Sequence, residues 1–381
     1  MKYLKIALLV GILCLTGHFL LGDRLFSQVS QASVQWMMEP RLEKVRPLNY
    51  DPVLVTLKTL DSTEKLLKES KIHLRLLTPS ANPWFSTDFP WVEGTTLLDM
   101  TQTTTSGEVQ FQQTFPIRGN YRLQLQVEPL VVNSFKPFEQ TITWAIAEKD
   151  IKYRNYVLLL ALLIFIGFVG GWVIGAGDPL QAGEVAPQRV RLLLSSATII
   201  AIAVLLFINL TAEAGSSHTG HAHLSVPENT TSSLPKTGQQ PMLTAQLTAD
   251  SHATVGQLSA LTVTVKNPQT QTAIAQQPIR IQTHQLEHQQ VVFATQTHTD
   301  LNGQFQWHEQ FFDGSPHQVT VTLLPNPPLI DQPLTLKKAI EVEALQPPLF
   351  RRLISLGYMV LALTLGFGGG FGLHQQRRSV I

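Results

Sequence analysis

Two stretches of the chain carry one alternation of apolar and polar positions. In residues 107–129, Gly107 is followed by Val109, Phe111 and Phe115, then by Leu123, Leu125 and Val127, and the stretch closes on Pro129. In residues 303–325, Gly303 is followed by Phe305, Trp307 and Phe311, then by Val319, Val321 and Leu323, and Pro325 closes it. The offset is 196 residues throughout, without a gap. An apolar side chain at every second position marks a strand with one face in a core, and the glycine and the intervening loop mark two connected strands. The pattern therefore predicts a tandem duplication.

The same reading predicts strands at residues 53–58, 72–77, 96–100, 108–114, 120–127 and 140–147, and again at 243–248, 258–266, 278–283, 291–297, 304–310, 317–324 and 334–342. Several are rich in Thr, Val and aromatic residues, which fit a pleated, half-buried surface. Short strands with turn signals between them predict an antiparallel sandwich of the immunoglobulin-like kind, and the lack of a helical period between strands excludes a parallel α/β sheet. Asp300, Asn302 and Gly303 before a strand predict a tight turn, because the further carboxylates of a calcium loop are missing. Trp84, Phe85, Phe89 and Trp91 sit in a long loop, residues 78–94, and predict a small satellite core beneath it, with a partner-binding or membrane-facing surface as the alternative.

Four longer runs lose the alternation and are apolar throughout: residues 6–21, 156–176, 192–210 and 353–373. The last three span 19 to 21 residues, and a helix crossing a hydrocarbon core needs about 20 at 1.5 Å rise per residue. The first follows Lys2 and Lys5 and reads as an uncleaved signal anchor, because the corresponding run in the second half cannot be a cleaved leader. The fold class predicted is a membrane protein, α plus all-β, with four transmembrane helices and two immunoglobulin-like antiparallel β-sandwich domains in tandem duplication. Its segments are an N-terminal helix and linker (1–30), the first sandwich (31–150), a helix hairpin (151–211), a linker (212–240), the second sandwich (241–345) and a C-terminal helix (346–381).

Composition sharpens this picture in three ways. Charged residues make up only 14% of the chain, against roughly a quarter in soluble domains, and the deficit lies in the apolar runs. A net charge of +1 with no basic face excludes nucleic acid as a partner. The one cysteine, Cys14, lies within the first apolar run, so no intrachain disulfide and no thiolate metal site can form. Lys2 and Lys5, Arg189 and Arg191, and Arg377 and Arg378 fall on one side of the predicted spans and Lys149, Lys152, Arg154, Arg351 and Arg352 on the other, so it is the basic N-terminal tail and the exported-looking domains that assign the first side to the cytoplasm. The β-domains are then extracytoplasmic, on an integral cell or inner membrane protein.

Histidines are unevenly distributed. His218, His221 and His223 crowd the Ser- and Thr-rich linker just beyond the third apolar run. Imidazole ligates copper and zinc, and alternate residues of an extended segment point the same way, so His221 and His223 can share one ion, with His218 able to join because Gly220 intervenes; the three form a candidate metal site. His308 and His317 in the second sandwich are candidate helpers. By parity His308 faces solvent beside Gln304 and Gln306, and His298 and His284 can join it only if their strands are neighbours. His317 shares the parity of Val319 and Val321 and faces inward, where a hydrogen bond to Asp313 is predicted to fix the loop. In the duplication His317 aligns with Tyr121.

Catalytic constellations are missing: the chain holds no Gly-x-Ser-x-Gly elbow, phosphate loop, HExxH helix or dinucleotide fingerprint. No Asp, Glu, Lys or Arg lies in mid-span of the apolar runs, which opposes transport. A non-enzymatic protein is expected. Gly167, Gly170, Gly171 and Gly175 in one run, and Gly366, Gly368, Gly369, Gly370 and Gly372 in another, let helices approach closely and predict packing against each other or a membrane-protein partner.

The segment Thr299-Asp300-x-x-Gly303-x-Phe305-x-Trp307, followed by Phe312-Asp313-Gly314-x-Pro316-His317-x-Val319, resembles the YtkA-like and FixH-like group of small extracytoplasmic β-sandwich domains. The resemblance covers about a hundred residues of the second sandwich and implies the fold; some members of the group accompany membrane cation pumps, copper handling or oxidase assembly. This chain lacks the methionine-rich loop and the cysteine of a copper carrier. The function expected is a binding or scaffold protein, an accessory subunit of a membrane complex, in contact with the lipid bilayer. Copper or zinc handling through the histidine-rich linker is the alternative.

Overall fold

A computed structural model describes residues 32–48, 52–175, 190–192, 195, 229–233, 243–327 and 332–379. The first half forms β1 (Ser33–Glu39), β2 (Val53–Leu60), β3 (Ser70–Leu77), β4 (Thr96–Thr104), β5 (Glu108–Gln113), β6 (Gly119–Pro129) and β7 (Phe138–Ile146), followed by helix α1 (Asp150–Gly175). The second half forms β8 (Asn229–Ser233), β9 (Thr244–Ala249), β10 (His252–Thr254), β11 (Leu258–Lys266), β12 (Pro278–Gln285), β13 (Gln290–His298), β14 (Gln304–Gln310), β15 (His317–Leu323) and β16 (Leu334–Glu343), followed by helix α2 (Leu349–Ser379). The apolar run 6–21 and most of the run 192–210 lie outside the described residues. Part of the segment read as a linker is ordered, since β8 pairs with β9 as an edge strand.

The halves have one strand order. In the first, β1-β2-β5 face β7-β6-β3-β4; in the second, β9-β11-β14 face β16-β15-β12-β13. They are not separate sandwiches. Strand β5 pairs with β13 through Phe111–Gln113, and β4 pairs with β14 through Leu98–Met100, so each sheet runs through both halves and has eight strands. Equivalent edges exchange partners across a seam. A sheet edge left open templates association with other chains, and here the four inner edges close each other.

Side chains follow the period-two pattern into one continuous core. In the first half Phe115 meets Tyr121 and Trp144 edge-to-face, with ring centroids 4.9 and 6.1 Å apart. Tyr121, at the start of β6, donates its hydroxyl to Ile117 O (2.8 Å) and accepts from Ile117 N (3.0 Å), the tyrosine corner of immunoglobulin-like sandwiches. Gly107 and Gly303, which open β5 and β14, both hold a positive φ, and a Cβ there would come within 2.7 Å of Leu67 O and 2.5 Å of Val265 O respectively. The repeated glycine is thus required by backbone and space in both halves. The Asp300 turn forms as predicted, with Oδ1 accepting from Asn302 N and Gln304 N.

Both helices follow the last strand of their half and pack in parallel. Cβ atoms added at Gly167 and Gly171 would overlap the carbonyl oxygens of Leu363 and Phe367, and at Gly366 and Gly370 those of Ile164 and Phe168. At a constant offset of 199 residues the contact is symmetric, Gly167 matching Gly366 and Gly171 matching Gly370. Glycine at every fourth position thus brings two backbones together along one stripe. Gly368 and Gly372 point away, with nothing within 4 Å. Both helices are long and apolar enough to cross a membrane.

Candidate functional site

The seam creates a groove of about 600 Å³ on the outer face of the sheet where β4 meets β14. Outward parity places Asp99 on β4 and His308 on β14, and the register sets them directly opposite one another. His73, from β3, donates Nε2–H to Asp99 Oδ1 at 2.8 Å, and Arg75 Nε lies 3.9 Å from Oδ2. Both pairs are half-exposed, where water screens them and each contributes less than about 1 kcal/mol. Asp300 and His298 line the groove from the β13–β14 turn, together with Gln304 and Gln306. The groove sets these imidazoles, carboxylates and amides, with Lys71, beside a largely apolar lining of Met100, Leu130, Leu301 and Phe305, an arrangement that suits binding of an amphipathic chain or ligand.

The corresponding face at the other seam is chemically different. There Gln112 stands opposite Ala294, in a groove of about 280 Å³ bordered by Arg280 and Gln282. By strand order these replace His308, Asp99, His73 and Arg75. The imidazole–carboxylate chemistry exists on one side only.

Of the histidines singled out from sequence, His218, His221 and His223 lie outside the described residues. His308 and His298 both line the groove, whereas His284 lies at the far end of β12, paired with Val291 and Gln318, and does not join them. Among the described residues no group of three or more His, Cys, Asp or Glu side chains is placed to hold a metal ion. His317 is fully buried, as its parity predicted, with its ring 4.8 Å from that of Phe311. The predicted hydrogen bond to Asp313 does not form, because Nε2 is 4.0 Å from Oδ1. Instead Nδ1–H donates to Ser315 O at 2.8 Å, and Asp313 is occupied by Ser315 and Gln285. His317 aligns with Tyr121 of the first half and also ties its corner to the backbone, through the carbonyl two residues back where Tyr121 holds the N and O four residues back. Burial lowers its pKa, with Asp313 opposing, so the ring is held neutral.

Sequence reasoning passed over two groups. Asp99 lines the groove and is held by His73 from behind, yet only the seam register relates it to His308, 209 positions beyond. Glu309 shares the inward parity of Phe305 and Trp307 and is buried. Thr283 donates to its Oε2 at 2.8 Å, while Oε1 and the Trp307 indole N–H find no partner of good hydrogen-bond geometry. Burial pushes the Glu309 carboxyl up to about 7, against smaller lowering by Thr283 and the neighbouring Trp307.

The aromatic loop also departs from expectation. Phe89 packs on Phe312 at 5.7 Å, but Trp84 and Phe85 are 65% and 62% exposed. They form no satellite core.

No protein-family profile and no curated protein sequence matches the chain. Among solved structures it is similar to the Yersinia pseudotuberculosis adhesin InvE, at 11% identity over 83% of this chain and 61% of that one, with a TM-score of 0.19. It is similar to invasin, a bacterial integrin-binding protein, at 9% identity over 84% of this chain and 40% of that one, with a TM-score of 0.20. Trypsin-activated alpha-2-macroglobulin from Escherichia coli matches at 12% identity over 82% of this chain and 16% of that one, with a TM-score of 0.22. The chain spans less than two thirds of the length of each.

Proposed function

We propose that the chain is a non-enzymatic integral membrane scaffold, an accessory subunit of a membrane complex, that carries a two-sheet extracytoplasmic body with a recognition groove at its seam. The observation that carries this reading is the glycine-packed helix pair. Its outer faces leave Val157, Leu158, Leu162, Phe165, Leu361 and Leu365 uncovered, a continuous apolar surface that suits lipid and not water. In this reading residues 6–21 and 192–210 add two further spans, and the chain arose by tandem duplication, which the common strand order and the helix offset support. The resemblance of the second half to YtkA-like and FixH-like domains supports the same placement outside the cytoplasm. Gly368 and Gly372 offer a second small-residue face for a partner helix.

The test is made on the full chain in native membranes. Retention through an alkaline carbonate wash, together with labelling of Val132→Cys in a Cys14→Ser background by an impermeant maleimide added to intact cells or spheroplasts, is expected. Release by the wash refutes the membrane reading, and labelling only after lysis refutes the orientation. For the partner, a native-gel assembly larger than the monomer that collapses in Gly368→Leu is expected; a monomer in both excludes docking through that face.

A further inference from the structure

Trp84 and Phe85 are exposed, yet the loop that carries them is not loosely held. Asn82 Oδ1 accepts hydrogen bonds from Trp84 N at 2.9 Å and Phe85 N at 3.2 Å, which shapes the tip. Glu93 accepts from Thr87 N and Oγ1 at 2.8 and 2.9 Å, and it pairs with Arg351 of α2 at 3.3 Å. The Trp91 indole donates to Gln346 O at 2.9 Å, Lys152 of α1 pairs with Asp88, and Arg351 also donates to Asn82 O. The loop is thus clamped to the first turns of both helices.

The clamp reaches further down α2. Tyr358 donates its hydroxyl to Trp84 O at 3.1 Å, and its ring stacks on Phe85 with centroids 6.0 Å apart and planes 10° apart. Tyr358 lies seven residues beyond Arg351, about 10 Å along the axis at 1.5 Å per residue. The apolar run of α2 begins at Leu353, directly after Arg351 and Arg352. Trp84 and Phe85 are therefore held level with the uncovered apolar side chains of the helix and below its cations. Phe89 in the same loop shows that an aromatic here can be taken into the core; the two at the tip are directed elsewhere. Aromatic rings next to a ring of Lys and Arg at the end of a membrane span belong to the headgroup level of a bilayer.

We propose that the Trp84–Phe85 tip is a lipid-contacting anchor that enters the interfacial layer of the adjoining leaflet and, through Tyr358, Arg351 and Lys152, fixes the height and tilt of the β-body over the membrane. The proposal rests on the reading of α1 and α2 as membrane spans. In function, the anchor presents the seam groove at a set distance from the lipid.

The test uses tryptophan fluorescence of the full chain in nanodiscs built with phospholipids brominated either near the headgroup or deep in the acyl chain. Three proteins are compared: the natural chain, Trp84→Phe, and Leu162→Trp, whose added indole lies mid-way along the exposed face of α1. Both substitutions change exposed side chains and leave the core intact. The expected result is that shallow bromines quench a component of the natural chain that Trp84→Phe has lost, while deep bromines quench the indole added in Leu162→Trp. If the added indole is quenched by deep bromines but Trp84→Phe leaves shallow quenching unchanged, the anchor is overturned and the membrane span stands. If the added indole escapes quenching altogether, the span itself is overturned and the anchor falls with it.

Discussion

Replacing Glu309 with Gln should make the β-body more stable above neutral pH and leave it nearly unchanged in acid. Glu309 is wholly buried between the sheets, and its carboxyl is raised from 4.5 to about 7. A group with a raised folded-state pKa keeps its proton in the fold at pH values where the unfolded chain has released it. Between pH 4.5 and about 7 the folded state therefore binds more protons, so stability falls as pH rises and levels off above 7. The difference of about 2.5 units corresponds to about 3 kcal/mol at 1.36 kcal/mol per unit. A neutral amide keeps the shape and can still accept from Thr283, so the variant should gain that amount relative to the natural chain between pH 4.5 and 8. For a body of this size the gain amounts to about 6–12 °C in melting temperature. Thermal melts of the full chain in detergent, followed by tryptophan emission to which the buried Trp144 and Trp307 contribute, report it. Parallel melting curves for the two proteins across this range would refute the reasoning. They would show that the carboxylate is charged inside the fold.

His317 predicts the opposite trend. Its folded pKa lies below 6.5 because of burial, so its contribution is complete above pH 6.5 and is lost as pH falls toward the folded value; His317→Gln should therefore gain on the natural chain between pH 7 and 5 in the same melts. In the helix pair, Gly171→Leu forces a side chain into Phe367 O and should lower stability in detergent by about 1–3 kcal/mol. Gly170→Ala, whose added Cβ meets nothing closer than 3.9 Å, should stay within about 0.5 kcal/mol; equal losses would refute the packed stripe. Elemental analysis after equilibration with limiting copper and zinc should find near-stoichiometric metal in the natural chain and none in a His218, His221 and His223 to Ala variant if the linker is a metal site, and equal content in the two excludes it.

Alternation was legible wherever one face of a strand meets a core, and the structure buries Phe305, Trp307, His317, Val319 and Val321 as their parity required. The same parity placed Glu309 inward, but a carboxylate reads as surface unless its burial is seen. The partner of His317 was misread because sequence separation suggested Asp313, whereas the corner turns the ring toward Ser315 O. The groove was not legible at all: pairing of β4 with β14 depends on which sheet edges find each other, and nothing local to either strand specifies that. Trp84 and Phe85 needed knowledge of α2, since loop aromatics are covered or uncovered according to what lies beside the loop.

The exchange of edges across the seam has a consequence for copy number. A single half, cut free, would present β4 and β5 as open edges, and a second copy of that half could close them by the same isologous pairing, with both seams then identical by symmetry. Joining the halves in one chain keeps the mates at high effective concentration whatever the abundance of the protein. It also lifts the symmetry constraint. One seam can hold His308 opposite Asp99 while the other holds Gln112 opposite Ala294, so each molecule displays one groove of this kind where a homodimer would have to display two.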